Sequence, residues 1–158
     1  MSSFPFDFPI LVIGPKSNSI FAFFEVNYKP RSHMTEKDIT IFVVDDDESV
    51  CRGLKRLLKS AGYRVETFNS AEHFLEFTIP KGRSVLLLDI RMPVMSGLDL
   101  QKKLMDEGFS IPIIFMTAHE DPQAETQALR YGAVAFLKKP FHDELLFEAI
   151  RAGIKGNG

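Results

Sequence analysis

Several short apolar runs in this sequence end in polar side chains that could do chemistry together. The polar residues at these run ends are the aspartates 45–47, Asp89, Thr117 and the lysine pair 138–139. If the runs are parallel strands in register, their carboxyl ends meet at one edge of a sheet. Several carboxylates, one hydroxyl and one ammonium group would then share a single shallow pocket.

The chemistry expected of such a pocket is phosphoryl transfer. Carboxylates brought close together repel one another and need a cation to be stable in their ionised form. With oxygen ligands only, the expected metal is Mg²⁺, with Mn²⁺ as the alternative. In an open metal site of this kind, the metal and the ammonium group neutralise the phosphoryl oxygens while a carboxylate attacks the phosphorus in line.

Each of these residues also has an ordinary structural explanation. A single Asp after a strand commonly caps a helix or stabilises a turn. A Thr at a strand end is usually a strand former, and a Lys pair is usually solvated surface. Their occurrence at the ends of four different strands, on the same predicted edge, favours a shared site.

The elements that would position these residues alternate between strand and helix. The predicted strands are Ile39–Val44, Tyr63–Phe68, Val85–Leu88, Ile111–Met116 and Val134–Leu137, and amphipathic segments at helical spacing follow each of them. Strict alternation of this kind indicates an α/β fold, with a parallel sheet covered by helices on both faces.

Composition limits the classes of protein to consider. The chain has 158 residues, 45% hydrophobic and 25% charged, as in a soluble globular protein. A net charge of −2 gives no electrostatic case for nucleic acid binding, and no apolar run is long enough to span a bilayer. Cys51 is the only cysteine, which suits a reducing compartment, so we expect a cytoplasmic protein that binds neither nucleic acid nor membrane.

The first 37 residues differ from the remainder. Six of the fifteen Phe and four of the nine Pro precede Met34, and they follow no sustained strand or helix period. We therefore expect residues 1–37 to be an extension outside the fold: a partner-binding arm, a vector-derived tag or the product of a misplaced start. The predicted domain spans residues 38–154, and residues 155–158 would be a tail or the start of a linker.

Five motifs, in order and spacing, resemble the receiver domain of two-component response regulators. They are VVDDDES (43–49), LLLDIRMPVMSG (86–97), IIFMTA (113–118), GAVAFLKKPF (132–141) and DELLFEAI (143–150). The wording is most similar to FixJ-like receivers, which precede a LuxR-type DNA-binding domain. The resemblance implies a flavodoxin-like (βα)5 three-layer sandwich with the strand order 2-1-3-4-5.

The resemblance also implies a set of metal ligands. Asp89 corresponds to the phosphoryl acceptor and is itself a ligand. Asp46 would bind Mg²⁺ directly, Asp45 mainly through water, and the backbone carbonyl of Arg91 would complete the protein ligands. The acidic pair could also be 46/47, but we prefer 45/46 because the family's pair directly follows the apolar strand. Asp47 would then cap the first helix.

A second group of residues would report the phosphoryl group. Thr117 resembles the switch hydroxyl that hydrogen-bonds a phosphoryl oxygen, and Lys139 the lysine that pairs with the phosphate. A cis peptide bond is expected before Pro140. Phe136 matches the aromatic residue that turns inward on activation, and His119 stands at a position that influences dephosphorylation in this family.

The function implied is that of a signalling domain and not of an enzyme, limited to self-phosphotransfer and autodephosphorylation. The partner would be a sensor histidine kinase or a phosphotransfer protein, and phosphorylation would alter the surface of the fourth helix, fifth strand and last helix, which could form a homodimer. Two alternatives are an aspartyl-nucleophile phosphatase or phosphotransferase and a degenerate scaffold receiver. The first would need a second Asp at the position of Arg91, and the second conflicts with the intact set Asp46, Asp89, Thr117 and Lys139.

Overall fold

A parallel sheet of five strands organises the protein, and a computed structural model describes residues 38–156 of it. The strands are β1 (Ile39–Val44), β2 (Arg64–Phe68), β3 (Arg83–Asp89), β4 (Ile113–Thr117) and β5 (Ala135–Lys138). All neighbouring strands run parallel, and their order is β2-β1-β3-β4-β5. This confirms the predicted fold class and strand order. The predicted extension, residues 1–37, lies outside the described residues.

Five helices connect and follow the strands. They are α1 (Glu48–Ser60), α2 (Ala71–Glu76), α3 (Gly97–Asp106), α4 (Pro122–Arg130) and α5 (Asp143–Gly156). At the start of four helices, the side-chain oxygen of the N-cap residue accepts a backbone N–H of the first turn. These N-cap residues are Asp47, Ser70, Ser96 and Asp121. The last helix continues to Gly156.

Buried apolar side chains lie on both faces of the sheet. Successive residues of a strand point to opposite faces, and helices cover both of them. Toward α1 and α5, the strands contribute Ile41, Val43, Val85, Leu87, Ile114 and Met116. Toward α2, α3 and α4, they contribute Phe42, Val44, Leu86, Leu88, Ile113 and Phe115. The central strands are therefore clamped between two layers of helices, which holds the ends of β1, β3 and β4 at fixed positions.

The fourth strand starts two residues later than predicted, at Ile113 instead of Ile111. Pro112 has no N–H to donate to a ladder, although its carbonyl accepts the N–H of Leu86 at 2.9 Å. The strand gains Thr117 at its other end. Within the described range, no helix has the length and apolar character needed to cross a bilayer.

Candidate functional site

Four strand ends meet at the carboxyl edge of the sheet, where the predicted residues lie. Val44 pairs with Leu88 in the register of β1 and β3, and Asp89 pairs with Met116 in that of β3 and β4. Thr117 pairs with Lys138 at the end of β5. The structure therefore brings the aspartates, the threonine and the lysines to one edge.

Three carboxylates form a cluster there that could hold a metal ion. Asp45, Asp46 and Asp89 each offer an oxygen, and these oxygens lie within 4.8 Å of one another. Asp45 and Asp89 are buried, whereas Asp46 is exposed. A set of oxygen donors with one exposed member and an open side fits a hard divalent cation.

Asp47 does not join this cluster. Its carboxylate accepts the backbone N–H of Ser49 at 2.8 Å and caps α1. That hydrogen bond lowers the pKa of Asp47 from its ordinary value. The neighbouring N–H of Asp47 is donated to Asp45 at 2.9 Å. Asp47 therefore caps α1, and of the three consecutive aspartates only Asp45 and Asp46 belong to the carboxylate cluster.

Lys139 supplies the positive charge of the site. Its Nζ lies 2.6 Å from a carboxylate oxygen of Asp45 and 3.2 Å from one of Asp89. Burial alone would lower the pKa of this ammonium group, but the hydrogen bonds and charges of Asp45 and Asp89 raise it. The peptide bond between Lys139 and Pro140 is cis, as expected.

Asp89 has the most perturbed acid–base equilibrium of the site. Burial raises its pKa from 3.8 to about 6, and the charge of Asp45 adds to the rise, while Lys139 opposes it. The carboxylate is therefore mainly ionised at neutral pH but poorly solvated. A poorly solvated carboxylate beside an ammonium group is available as a nucleophile.

The loop that follows β3 returns close to Asp89, so that the backbone of Gly97 lies against the backbone carbonyl of Asp89. A Cβ built on Gly97 would overlap the carbonyl oxygen of Asp89, so only glycine fits where α3 begins. Val94 has a φ of 69°, in the left-handed region that a β-branched residue seldom adopts. Arg91 is exposed, and its guanidinium lies 3.7 Å from the carboxylate of Asp121, which caps α4.

The predicted switch residues lie on the two strands beyond β3: Thr117 ends β4 and Phe136 lies on β5. The hydroxyl of Thr117 donates to the carbonyl of His119 at 3.0 Å and accepts the N–H of the same residue. Phe136 is half-buried on β5, with its ring centroid 6.2 Å from that of Phe115. The side chain of His119 is exposed. Thr117 thus binds its own loop in this structure and not a group at the carboxylates.

Sequence reasoning missed two polar contacts of α4. Gln101 is buried in α3 and donates its Nε2 to the carbonyl of Ala128 at 3.0 Å. Glu120 and Lys138 form an exposed ion pair between the start of α4 and β5. A signal for the first was present, because Gln101 stands at helical spacing between Gly97 and Leu104 on the inner face of α3.

Comparison with known proteins places these features in a family context. The model of the response regulator receiver domain matches residues 41–151. Response regulator protein TmoT of Ectopseudomonas mendocina is 44% identical over 125 residues, covering 79% of this chain and 57% of that protein. Transcriptional regulatory protein FixJ of Rhizobium meliloti is 42% identical over 113 residues, covering 72% and 55%.

Solved structures give the same result. The crystal structure of FixJ-N is 41% identical with a TM-score of 0.69, covering 75% of this chain and 94% of that chain. The structure of response regulator StyR is 48% identical with a TM-score of 0.72, covering 76% and 61%. The chain spans about half the length of the curated relatives it matches.

Proposed function

Since the chain belongs to the response regulator receiver domain family of two-component signalling, we propose that Asp89 is its phosphoryl acceptor and that the modification is read at the surface of α4, β5 and α5. The observation that carries the proposal is the carboxylate cluster of Asp45, Asp46 and Asp89 with Lys139 Nζ bound in it. Such a cluster combines a nucleophile, a cation site and a fixed positive charge.

The phosphoryl donor would be a phosphohistidine of a sensor histidine kinase or a phosphotransfer protein. A carboxylate oxygen of Asp89 forms a bond to phosphorus while the bond from phosphorus to the donor nitrogen breaks. The electron pair of that bond stays on the nitrogen, which leaves as neutral imidazole because its other nitrogen carries a proton. The raised pKa of Asp89, about 6, still leaves the carboxylate ionised for this attack at pH 7.

The cluster fits a divalent cation, and we propose Mg²⁺, with Mn²⁺ as a substitute. Asp46, Asp89 and the backbone carbonyl of Arg91 would hold it, with Asp45 acting through water. When bound, the cation neutralises negative charge on the phosphoryl oxygens. Lys139 would do the same from the protein side, exchanging its present contact with Asp89 for a phosphoryl oxygen.

Thr117 and Phe136 would convert the modification into a change of surface. The Thr117 hydroxyl now donates to the carbonyl of His119 and can turn to donate to a phosphoryl oxygen instead. This movement leaves space behind Thr117 that the half-buried ring of Phe136 can enter. The altered α4, β5 and α5 surface would then bind a partner or a second copy of the chain, shifting an existing equilibrium.

Incubation with acetyl phosphate and Mg²⁺, followed by intact-mass measurement, tests the acceptor. We expect one phosphoryl group on the wild-type chain and none on Asp89→Asn. A matched control is Asp106→Asn, which changes an exposed carboxylate at the end of α3 and should be labelled normally. Undiminished labelling of Asp89→Asn would exclude Asp89 as the acceptor.

A calorimetric titration with Mg²⁺ tests the assignment of the acidic pair. Asp46→Ala should weaken binding more than Asp47→Ala, because Asp46 offers a ligand oxygen to the cluster and Asp47 caps α1. Asp47→Ala should instead lower the free energy of unfolding by about 1 kcal/mol through loss of the cap. The reverse order of metal affinities would move the acidic pair to residues 46 and 47.

A further inference from the structure

Gln101 occupies an unusual position for a polar residue. Its side chain lies between α3 and α4 and is 3% exposed. Its Nε2 donates to the backbone carbonyl of Ala128 at 3.0 Å, and a carbonyl can only accept, which fixes the orientation of the amide. The same carbonyl accepts the N–H of Ala133 at 3.0 Å. Gln101 therefore joins α3 to the last turn of α4 and to the segment that leads into β5.

Core stability does not explain a glutamine at this site. The Oε1 of Gln101 is buried and has no hydrogen-bond partner among the described residues. A half-satisfied buried amide is less favourable than an apolar side chain of similar size. Beside it, a crevice of about 180 Å³ lined by Met105, Phe109 and Tyr131 separates α3 from the end of α4. Because side-chain packing is incomplete at this crevice, the hydrogen bond from Gln101 to Ala128 is the specific contact that attaches the carboxyl end of α4 to α3.

The opposite end of α4 is attached differently. Asp121 lies 3.7 Å from the guanidinium of Arg91, and Glu120 pairs with Lys138, all four with side chains largely or partly in solvent. Exposed ion pairs of this kind contribute little and are screened by salt. The two buried residues of α4 are Ala124 in its first turn and Ala128 in its last, so apolar burial does not distinguish the two ends. The polar contacts do: the carboxyl end accepts a buried hydrogen bond from α3, whereas the amino end, which adjoins Thr117, has exposed ion pairs.

We propose that Gln101 is a pivot: it holds the last turn of α4 to α3, so that phosphorylation at Asp89 swings the amino-terminal end of the helix around a fixed carboxyl end. The inference rests on the proposed function, because it describes how that site acts on α4. Gln101 is a positioning residue here and touches none of the reacting atoms. A swing about one end moves the first turn furthest, where α4 adjoins the loop of Thr117 and His119.

Hydrogen exchange of the full chain, with and without beryllofluoride and Mg²⁺, tests the pivot. In the wild-type chain, the change on adding beryllofluoride should be large at residues 118–124 and small at residues 129–133. In Gln101→Met, exchange at residues 129–133 should be roughly five- to tenfold faster without beryllofluoride, as expected for loss of one hydrogen bond. The change on adding beryllofluoride should then extend along the whole helix.

Gln127→Met is the matched control, because it makes the same change at an exposed position of α4 and should leave both patterns as in the wild type. Equal responses at the two ends of α4 in the wild-type chain would overturn the pivot, even if Gln101→Met failed to fold. Unchanged exchange at residues 129–133 in a folded Gln101→Met would also overturn it. Labelling by acetyl phosphate is measured in parallel, so that loss of the acceptor reaction is distinguished from loss of the pivot.

Discussion

The strands that carry the aspartates and the elements next to Thr117 are built differently. Every residue of β1 except Thr40 is buried, and β3 is buried from Val85 to Asp89. In contrast, no residue of β5 is fully buried, and α4 buries only two alanines. We call these the strand core (β1 and β3) and the α4–β5 region.

The difference in packing fits the two functions proposed for these regions, phosphoryl acceptance in the strand core and switching in the α4–β5 region. A phosphoryl acceptor needs carboxylates held at constant distances, which densely packed strands provide. A switch needs two arrangements that differ by only a few kcal/mol, which a region of small and half-buried side chains provides. The site includes Asp89 of the strand core and Thr117 of β4, the strand that lies between the strand core and β5.

The largest expected contrast is between two leucine truncations. Leu88→Ala in the strand core should lower the free energy of unfolding by about 2–5 kcal/mol, because Leu88 is fully buried and its loss leaves a cavity. Leu129→Ala in α4 should cost less than about 0.5 kcal/mol, because Leu129 is 48% exposed. Urea denaturation measures both, and similar costs would show that the two regions are equally well packed.

Asp89→Asn should stabilise the metal-free protein at neutral pH. The pKa of Asp89, raised from 3.8 to about 6, means that the folded state holds this proton more tightly than the unfolded state. The contribution of Asp89 to wild-type stability is therefore greatest below about pH 4, falls as the pH rises toward 6 and stays lower above it. The Asn variant has no such ionisable group, so its free energy of unfolding does not fall by the roughly 2–3 kcal/mol that this shift costs the wild type at neutral pH.

Thermal unfolding in EDTA from pH 4 to pH 8 measures this effect. The advantage of the variant over the wild type should be greatest above pH 6.5 and should shrink toward pH 4. A constant difference in stability across the whole pH range would mean that burial in the strand core does not disfavour the ionised form of Asp89.

Val94→Gly sharpens the comparison within the loop that follows β3. Val94 is 97% exposed and adopts a φ of 69°, so its side chain adds strain without adding contacts. Replacement by glycine should raise the free energy of unfolding by about 1 kcal/mol. Chemical denaturation measures the change, and a destabilised variant would show that the left-handed conformation is not the dominant one at this position.

Lys138→Gln in the α4–β5 region should have the smallest effect. The variant loses the exposed pair with Glu120, so the free energy of unfolding should fall only slightly at low ionic strength. Repeating the urea titration in 1 M salt should remove the difference, because salt screens exposed pairs. A larger cost that persists in salt would show that this end of α4 is held as firmly as the end at Gln101.

The sequence predicted the fold well because its signals are local. Apolar runs of strand length alternate with amphipathic segments, and the order of the strands follows from the family resemblance that the motif matches confirm. Errors were confined to element ends. The start of β4 moved because Pro112 cannot donate to the ladder.

The site was predicted as a set of residues but not as a set of contacts. That Asp45 is buried and Asp46 exposed depends on the turn that donates the N–H of Asp47 to Asp45. The hydrogen bond of Thr117 to the His119 backbone depends on the path of its loop. Neither is encoded in residue type or spacing. Helical spacing indicates that Gln101 faces inward, but its partner Ala128 is 27 positions away and only the packed structure identifies it.

The glycine at position 97 has a consequence for how such a domain can be altered. Because even a methyl group there would overlap the carbonyl oxygen of Asp89, a saturation library at this codon should return glycine alone among labelled variants. A Cβ added at Gly53 in α1 would meet no atom within 4 Å, so this position should accept most residues, and alanine should stabilise the helix. The two glycines therefore differ in the substitutions they tolerate: position 53 in α1 can be changed, whereas position 97, where α3 begins, must remain glycine.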